Sequence, residues 1–225
     1  MKEYGYKFPN IFFEEKKGKK VLYTKNLFPG NRVYGENIVK YMNDEFREWD
    51  HTRSKLGAAI MCNISQIGIR TGETILYLGA SSGTTPSHIA DIIGKNGFIY
   101  ALDFAPRMTR DLVFLSEKRT NIAPILGDAN KPLTYAHLVS QVDVIYMDIA
   151  QKNQTEIFLK NCEAFLKHGG FGLLFLKARS VDVTRRPKEV YAEVRKELEK
   201  HITIVDYKEL DPYEKDHCVF ICKKR

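Results

Sequence analysis

The sequence predicts an α/β fold in which a small N-terminal β subdomain precedes a seven-stranded, mostly parallel sheet with an antiparallel last strand. From about residue 53, short apolar strands alternate with helices, a pattern typical of parallel sheets joined by right-handed crossover helices. The last two predicted strands are separated by only about nine residues, too few for a crossover helix. We therefore expect these two strands to pair as a hairpin, which makes the final strand antiparallel.

The predicted N-terminal subdomain, residues 1–52, is rich in Tyr, Phe, Lys and Gly and holds no sustained helical period. Apolar segments at residues 11–15 and 20–24 flank a Lys-Lys-Gly-Lys turn, which predicts a β-hairpin with Gly18 in the turn. Phe-Pro-Gly-Asn at residues 28–31 indicates a second turn. We expect this subdomain to cover one side of the main domain.

The main domain, residues 53–225, is predicted to begin with a helix over residues 53–64, with Asp50 or Thr52 as its N-cap. Apolar runs and helical periods then alternate to the end of the chain. The predicted strands cover residues 74–79, 98–103, 122–126, 142–148, 171–177, 202–207 and 217–222. The predicted helices among them cover residues 86–93, 107–119, 153–166 and 187–201.

Composition narrows the class of protein. A formal charge of +7 favours a polyanionic partner such as a nucleic acid, although a mixed Lys and Glu surface is also typical of heat-adapted proteins. No apolar run reaches the ~18 residues of a membrane span, and the N-terminus lacks a signal-peptide core, so we expect a cytoplasmic protein. The four cysteines form no CxxC pair, and His217 and Cys218 would point to opposite faces of a strand, so we expect reduced thiols and no metal site.

A glycine-containing loop after the first strand of the main domain is the first candidate binding element. In the segment of residues 76–85, Gly79 and Gly83 would let the backbone approach a ligand at the switch point of the sheet. Asp103 ends the second strand, where a carboxylate can accept hydrogen bonds from the ribose hydroxyls of an adenosine, and Asp128 follows the third strand, where it can hold an adenine amino group. The alternative is that these are turn glycines and ordinary capping aspartates.

Four polar residues are predicted to meet at one edge of the sheet. Asp148 and Lys177 end the fourth and fifth strands, and His217 begins the reversed final strand. Lys55 lies in the first turn of a helix, where a cation opposes the helix dipole and needs another explanation. A lysine beside a buried strand can act as a general base, a second lysine can stabilise an oxyanion, and Asp148 can orient both ammonium groups. Each residue also has an ordinary structural explanation, as a cap or a solvated charge.

With these motifs the chain resembles the fibrillarin family in its archaeal form, along nearly its whole length. The resemblance is carried by residues 29–36, Trp49 with 53–56, 77–85, 148–151, 177–184 and 211–217. It implies a Rossmann-like class I methyltransferase fold and transfer of a methyl group from S-adenosylmethionine to RNA ribose 2′-hydroxyls. It implies a Lys-Asp-Lys-His catalytic set at Lys55, Asp148, Lys177 and His217. It implies cofactor contacts at Thr84, Thr85, Asp103, Phe104, Asp128, Ala129 and Gln151. We expect the same cofactor site to include Gly79, Ala80, Gly83 and Asp148.

Two positions depart from the family pattern. The family usually has Glu where Asp103 stands, and an aspartate reaches less far toward a ribose; it usually has Ala where Ser81 stands, a small change in a tight loop. The Gly/Arg-rich tail of the eukaryotic form is absent, which favours an archaeal protein.

The resemblance also implies partners. These are a box C/D guide RNA, the target rRNA, a scaffold protein of the Nop56/58 type and, through the assembly, a kink-turn-binding ribosomal-type protein. Arg179, Arg185 and Arg186 are candidate phosphate contacts, with a solvated basic loop as the alternative. Two other functions stay open at this point: a methyltransferase for another acceptor such as a protein glutamine, and a non-catalytic RNA–protein assembly subunit.

Overall fold

A computed structural model describes residues 1–225, and its N-terminal part is a five-stranded antiparallel sheet. The strands are β1 (Lys2–Glu3), β2 (Ile11–Lys16), β3 (Lys19–Lys25), β4 (Ile38–Tyr41) and β5 (Asp44–Trp49). Their order in the sheet is β1-β2-β3-β5-β4. The predicted hairpin is confirmed, with Lys17 and Gly18 at positive φ of 51° and 74° in the tight turn between β2 and β3. The other three strands carry no clear alternation in sequence and were not predicted.

The main sheet has seven strands, and the prediction of a reversed last strand is confirmed. Its strands are β6 (Thr74–Leu78), β7 (Phe98–Asp103), β8 (Ile122–Leu126), β9 (Val142–Met147), β10 (Leu166–Lys177), β11 (Thr203–Glu209) and β12 (His217–Lys223). They lie in the order β11-β12-β10-β9-β6-β7-β8. Strand β12 pairs antiparallel with both β10 and β11, whereas β6 to β10 pair in parallel.

Six helices connect these strands. They are α1 (Lys55–Met61), α2 (Thr84–Ile93), α3 (Pro106–Lys118), α4 (Gln154–Phe165), α5 (Ala178–Val181) and α6 (Pro187–His201). The short α5 was not predicted. Short 3-10 turns cover His51–Arg53, Pro132–Thr134 and Ala136–Leu138. None of the helices is long and apolar enough to cross a membrane.

Two boundaries differ from the prediction for local physical reasons. The N-cap of α1 is Ser54, whose Oγ accepts a hydrogen bond from Gly57 N, whereas Asp50 caps the preceding 3-10 turn, so the prediction of Asp50 or Thr52 as the helix cap was wrong. Helix α1 also ends before residue 64, because Asn63 takes a left-handed φ of 58°. Strand β10 begins earlier than predicted, at Leu166, and its register with β9 shifts before Phe171.

The main sheet is buried on both faces. Along β6, Ile75 and Tyr77 pack into one hydrophobic cluster, and Leu76 and Leu78 pack into the other, as the alternation of a strand requires. The N-terminal sheet contributes to the first cluster through Ile11, Leu22 and Trp49, and the loop between β1 and β2 contributes Phe8. The two sheets therefore share one core.

A fully buried set of charges joins the N-terminal sheet to α2 and α3. Arg47 of β5 contacts Glu36 at 2.6 Å and Asp91 of α2 at 2.7 Å, and Arg119 contacts the other oxygen of Asp91 at 2.6 Å. All four side chains are 0% or 1% exposed. We call Glu36, Arg47, Asp91 and Arg119 the buried ionic junction. It was not predicted, because charged residues so far apart in a sequence are ordinarily surface residues.

Beside this junction, His88 of α2 is held on three sides. Its ring stacks on Trp49 with centroids 4.9 Å apart, Nδ1 lies 2.8 Å from Thr24 Oγ1, and Nε2 lies 2.7 Å from the Tyr34 hydroxyl. Burial, and then the charges of Arg47 and Arg119, hold the pKa of His88 well below its ordinary value. The ring is therefore a neutral structural element of the interface between the two sheets.

Candidate active site

The structure brings together the four polar residues predicted to share the carboxyl edge, the edge at which β6, β7, β9 and β10 end. Asp148 directly follows β9, and Lys55 is the first residue of α1. Lys55 Nζ lies 2.8 Å from each carboxylate oxygen of Asp148, and the two side chains are 22% and 24% exposed. A half-exposed ion pair of this kind keeps an ammonium group at a fixed point while leaving it accessible to a substrate.

His217 completes the edge from the reversed strand. It is the register partner of Lys177 across β10 and β12 and is buried. Its Nδ1 lies 2.7 Å from the carbonyl oxygen of Lys215, so Nδ1 carries the proton and Nε2 is left as an acceptor. Burial lowers the pKa of His217, and the charge of Lys55 lowers it further against the opposing effect of the Lys215 carbonyl. His217 is therefore neutral near neutral pH.

Lys177 differs from the prediction in two respects. Its side chain is exposed at the end of β10 rather than enclosed by the apolar strand that precedes it. No carboxylate lies within 4.0 Å of its ammonium group, so Asp148 orients Lys55 alone and not both lysines. The strand ends at this residue, and its side chain leaves the packed interior there. Lys177 is the one lysine of the set without an ion pair.

A cavity of about 300 Å³ opens beside these residues. It is lined by Gly79, Ser81, Leu102, Asp103, Phe104, Gly127, Ala129, Asp148, Ile149, Ala150 and Gln151. Six of the predicted cofactor residues are among them: Gly79, Asp103, Phe104, Ala129, Asp148 and Gln151. The other five predicted residues are not part of the lining: Ala80 and Asp128 are chain neighbours of lining residues, and Gly83, Thr84 and Thr85 form the start of α2. The cavity shares Asp148 with the ion pair, so a ligand in it would lie next to the residue that holds Lys55.

Close backbone packing shapes the floor of the cavity. Gly79 has a φ of 86°, and a Cβ there would lie 2.3 Å from the carbonyl oxygen of Asp148. No larger residue fits, so the loop after β6 lies directly against the chain that leaves β9. Gly83, with a φ of 92°, begins α2 without a side-chain cap. The first backbone N–H groups of α2 are therefore left without a capping side chain.

The two predicted adenosine-binding carboxylates are already oriented by the backbone. Asp103 Oδ2 accepts a hydrogen bond from Ser81 N at 2.7 Å, and Oδ1 accepts one from Ala105 N at 2.9 Å. Asp128 Oδ1 likewise accepts one from Asn130 N at 2.9 Å. A carboxylate oxygen has two lone pairs, so these carboxylates retain capacity for a ligand's hydroxyl or amino groups. The ring of Phe104, 72% exposed, stands next to Asp103 at the lining of the cavity.

The family of this chain follows from its sequence as a whole. The fibrillarin family model matches residues 3–225. The chain belongs to the fibrillarin family. A fibrillarin-like rRNA/tRNA 2′-O-methyltransferase of Thermococcus onnurineus is 47% identical over 225 residues, covering 100% of both chains.

Solved structures agree with this membership. Methanococcus jannaschii fibrillarin pre-rRNA processing protein superimposes with a TM-score of 0.92 at 47% identity, covering 96% of this chain and 95% of that one. Aeropyrum pernix fibrillarin in complex with natively bound S-adenosyl-L-methionine gives 0.88 at 46% identity, with coverages of 95% and 94%. The fibrillarin of a fibrillarin/Nop5p complex gives 0.87 at 41% identity, with coverages of 96% and 98%.

In this fibrillarin-family chain, the three arginines predicted to contact RNA differ in whether their guanidinium groups are already paired. Arg179 contacts Asp216 at 3.2 Å and donates to the carbonyl oxygen of Val183 at 2.8 Å. Arg185 is paired with Glu193. Arg186 is exposed, precedes α6 and has no carboxylate partner. Of the three, Arg186 is the one whose guanidinium is available without breaking an existing pair.

Sequence reasoning missed Ser54, which links the helix of Lys55 to the helix that follows the glycine loop. Its Oγ caps α1 and also accepts a hydrogen bond from Thr85 Oγ1 at 3.0 Å, with both side chains buried. A serine directly before a lysine-led helix is an N-cap signal that would have identified the first contact. The second contact joins residues 31 positions apart and has no local signal.

Proposed function

We propose that this chain transfers the methyl group of S-adenosylmethionine to ribose 2′-hydroxyls in rRNA and tRNA, as the catalytic subunit of a guide-RNA-directed box C/D ribonucleoprotein. One observation carries the proposal: the Lys55–Asp148 ion pair shares the carboxyl edge with Lys177 and His217, and its Asp148 also lines the cavity beside the glycine loop. The same arrangement occurs on a chain that matches, over its full length, relatives named for this activity.

The lining of the cavity suits S-adenosylmethionine, which when bound supplies an electrophilic methyl group. Asp103 in the lining, and Asp128 between the lining residues Gly127 and Ala129, offer carboxylate acceptors for the ribose hydroxyls and the adenine amino group. Phe104 offers an exposed aromatic face. Around them, the remaining contacts that we assign are Gly79, Ala80, Gly83, Thr84, Thr85, Ala129, Asp148 and Gln151.

We assign the role of general base to Lys177. A ribose hydroxyl is a poor nucleophile and must lose its proton as it attacks. Lys55 is bound to the Asp148 carboxylate at 2.8 Å, whereas the side chain of Lys177 is exposed at the same edge and has no carboxylate partner. Lys55 then stabilises the developing oxyanion, and the unprotonated Nε2 of neutral His217 accepts a hydrogen bond that orients the substrate.

The partners that we propose are a scaffold protein of the Nop56/58 type, a box C/D guide RNA paired to its target and, through the particle, a kink-turn-binding protein. The similarity to the fibrillarin of the fibrillarin/Nop5p complex supports the scaffold. The pairing of Arg179 and Arg185 supports guided action, because RNA would have to displace a carboxylate of the chain to contact either guanidinium. Selection of the target nucleotide is thus assigned to the guide.

The test is reconstitution of the chain with scaffold, kink-turn protein, guide RNA and target, using tritium-labelled cofactor. We expect label on the target RNA and a 2′-O-methyl at the guided nucleotide, with none when the guide is mismatched. Label on protein instead would favour a protein methyltransferase. A particle that assembles but transfers no label would leave only an assembly role. Efficient methylation of bare RNA by the isolated chain would contradict guidance.

A further inference from the structure

Strand β10 runs past its parallel neighbour at the carboxyl edge. Strand β9 ends at Met147, the register partner of Leu174. The chain then turns away toward the cavity through Asp148. Strand β10 continues to Lys177, so its last residues have no parallel strand on that side. An extended backbone without a neighbour leaves N–H and C=O groups that must find other partners when they are shielded from water.

The side chain of Gln154 takes the place of the missing strand. Its Nε2 donates to the carbonyl oxygen of Lys177 at 3.3 Å, and its Oε1 accepts from Lys177 N at 3.2 Å. A primary amide is the one neutral side-chain group that offers a donor and an acceptor side by side, as a backbone peptide group does. On the opposite side Lys177 faces His217 of β12, and the next residue, Ala178, donates from its N to the carbonyl oxygen of Asp216 at 3.0 Å. The chain at Lys177 is therefore held from both sides, with the N–H and C=O of Lys177 itself bonded by Gln154.

The burial of Gln154 makes this contact specific. Gln154 is the first residue of α4 and is 0% exposed, in a set of buried residues of that helix that is otherwise largely apolar. Burying an amide without partners costs free energy, and an apolar residue of similar size would fill the same space more simply. The two hydrogen bonds to Lys177 are the side-chain bonds that this amide makes.

We infer that Gln154 is the positioning residue for Lys177: its amide clamps the Lys177 backbone and so sets the point from which the lysine side chain reaches the substrate. The inference rests on the proposed function, since it assumes that Lys177 takes part in the reaction. Gln154 does not line the cavity, so its effect on the reaction passes through Lys177 and not through cofactor contacts.

The experiment compares Gln154→Met, Gln154→Glu and Ile157→Val in the reconstituted particle by single-turnover methylation, cofactor titration and thermal melting. Gln154→Met keeps the length of the side chain and removes both hydrogen bonds. Gln154→Glu keeps an acceptor for Lys177 N but places a second carboxylate oxygen opposite the carbonyl oxygen of Lys177, where the two acceptors repel. Ile157→Val loosens the same buried helix without touching Lys177.

We expect Gln154→Met to lower the rate about 10- to 100-fold, because small displacements of a catalytic group cost factors of that size. Cofactor affinity should stay within about twofold, since the change acts at Lys177. The rate of Gln154→Glu relative to the parent should rise as the pH falls, because the protonated carboxyl can donate to Lys177 as the amide does. Ile157→Val should lower the melting temperature and keep the rate.

The inference is overturned if Gln154→Met methylates at the parent rate per folded molecule, whatever its melting temperature. If Gln154→Met does not fold, the pH dependence of Gln154→Glu decides alone: a constant ratio to the parent overturns the inference. Failure of the parent particle to methylate ribose is a separate result, which contradicts the proposed function rather than the clamp.

Discussion

The buried ionic junction and the carboxyl edge both contain several charged side chains, but they differ in how exposed and how fully paired those side chains are. In the junction, four charged side chains are 0% or 1% exposed, and Asp91 is shared between two arginines. The arginine nitrogens there are bonded, apart from Arg119 Nε. At the carboxyl edge, Lys55 and Asp148 are 22% and 24% exposed, and Lys177 has no ion pair.

The difference separates charge that holds the structure from charge that can meet a substrate. Groups whose hydrogen bonds are satisfied inside the protein have nothing to offer a ligand, and removal of one leaves its partners buried and uncompensated. Groups at a half-exposed rim have spare donors and lie where a ligand can reach them. Substitutions in the two places should therefore affect different measurements.

The largest expected effect is on the methylation rate, from a substitution at the carboxyl edge. Lys177→Ala should lower methylation about 10²–10⁴-fold, the contribution of a positioned general base. The melting temperature should not change, because the side chain is exposed and unpaired. Lys177→Arg should fail to restore the rate, since a guanidinium stays protonated. Single-turnover rates in the assembled particle, measured beside melts, test this; a substantially active arginine variant would exclude the base role.

A substitution in the junction should do the reverse. Asp91→Asn leaves Arg47 and Arg119 buried with an uncompensated charge, which should cost about 3–5 kcal/mol of unfolding free energy. The rate per folded molecule should be retained at temperatures where the variant is folded. Urea titration measures the loss of unfolding free energy. The control is Glu197→Gln, which breaks an exposed pair with Lys200 and should leave the urea midpoint unchanged. An equally small shift for Asp91→Asn would show that the junction does not hold the sheets together.

A third substitution concerns the cavity beside the carboxyl edge, where Asp103 is part of the lining. Asp103→Ala should weaken S-adenosylmethionine binding by about 1–3 kcal/mol, because it removes acceptors for the ribose and loosens the loop at Ser81. Asp103→Glu, which restores the residue usual in the family, should bind at least as tightly as the parent. Calorimetric titration measures both, and unchanged affinity of the alanine variant would remove Asp103 from the site.

The last expected effect is a pH dependence of stability to which a histidine from each region contributes. His88 and His217 both have a pKa lowered chiefly by burial, so the unfolded chain binds their protons more readily than the folded one. Their contribution is complete above the unfolded value of about 6.5 and is lost as the pH falls below it, by at most about 1.4 kcal/mol per pH unit for each ring. Unfolding free energies between about pH 7 and pH 5 measure the slope, which His88→Gln should reduce; an unaltered slope would contradict it.

The fold was largely predictable because apolar periodicity and loop length report directly on strands, helices and the reversed hairpin. Topology also assigned Lys55, Asp148, Lys177 and His217 to one edge, since the ends of elements are visible in sequence. It could not tell that Asp148 would pair with Lys55 alone, because that depends on the direction in which side chains leave the edge. Residues such as Gln154 and Asp91 gave no signal, because their partners are distant in sequence and a lone polar residue is ordinarily exposed.

The position of β12 has a consequence for how the chain is made. This strand follows every other strand in sequence, yet six of its seven residues are buried and it lies between β10 and β11. During synthesis β10 therefore emerges before the strand that covers one of its edges. The unpaired backbone groups of an open strand edge can pair with other chains. That edge is covered only when β12 inserts between β10 and β11. His217 is the first residue of that strand, so the event that shields the nascent sheet is also the one that delivers the fourth polar group, and a half-made chain has no complete site.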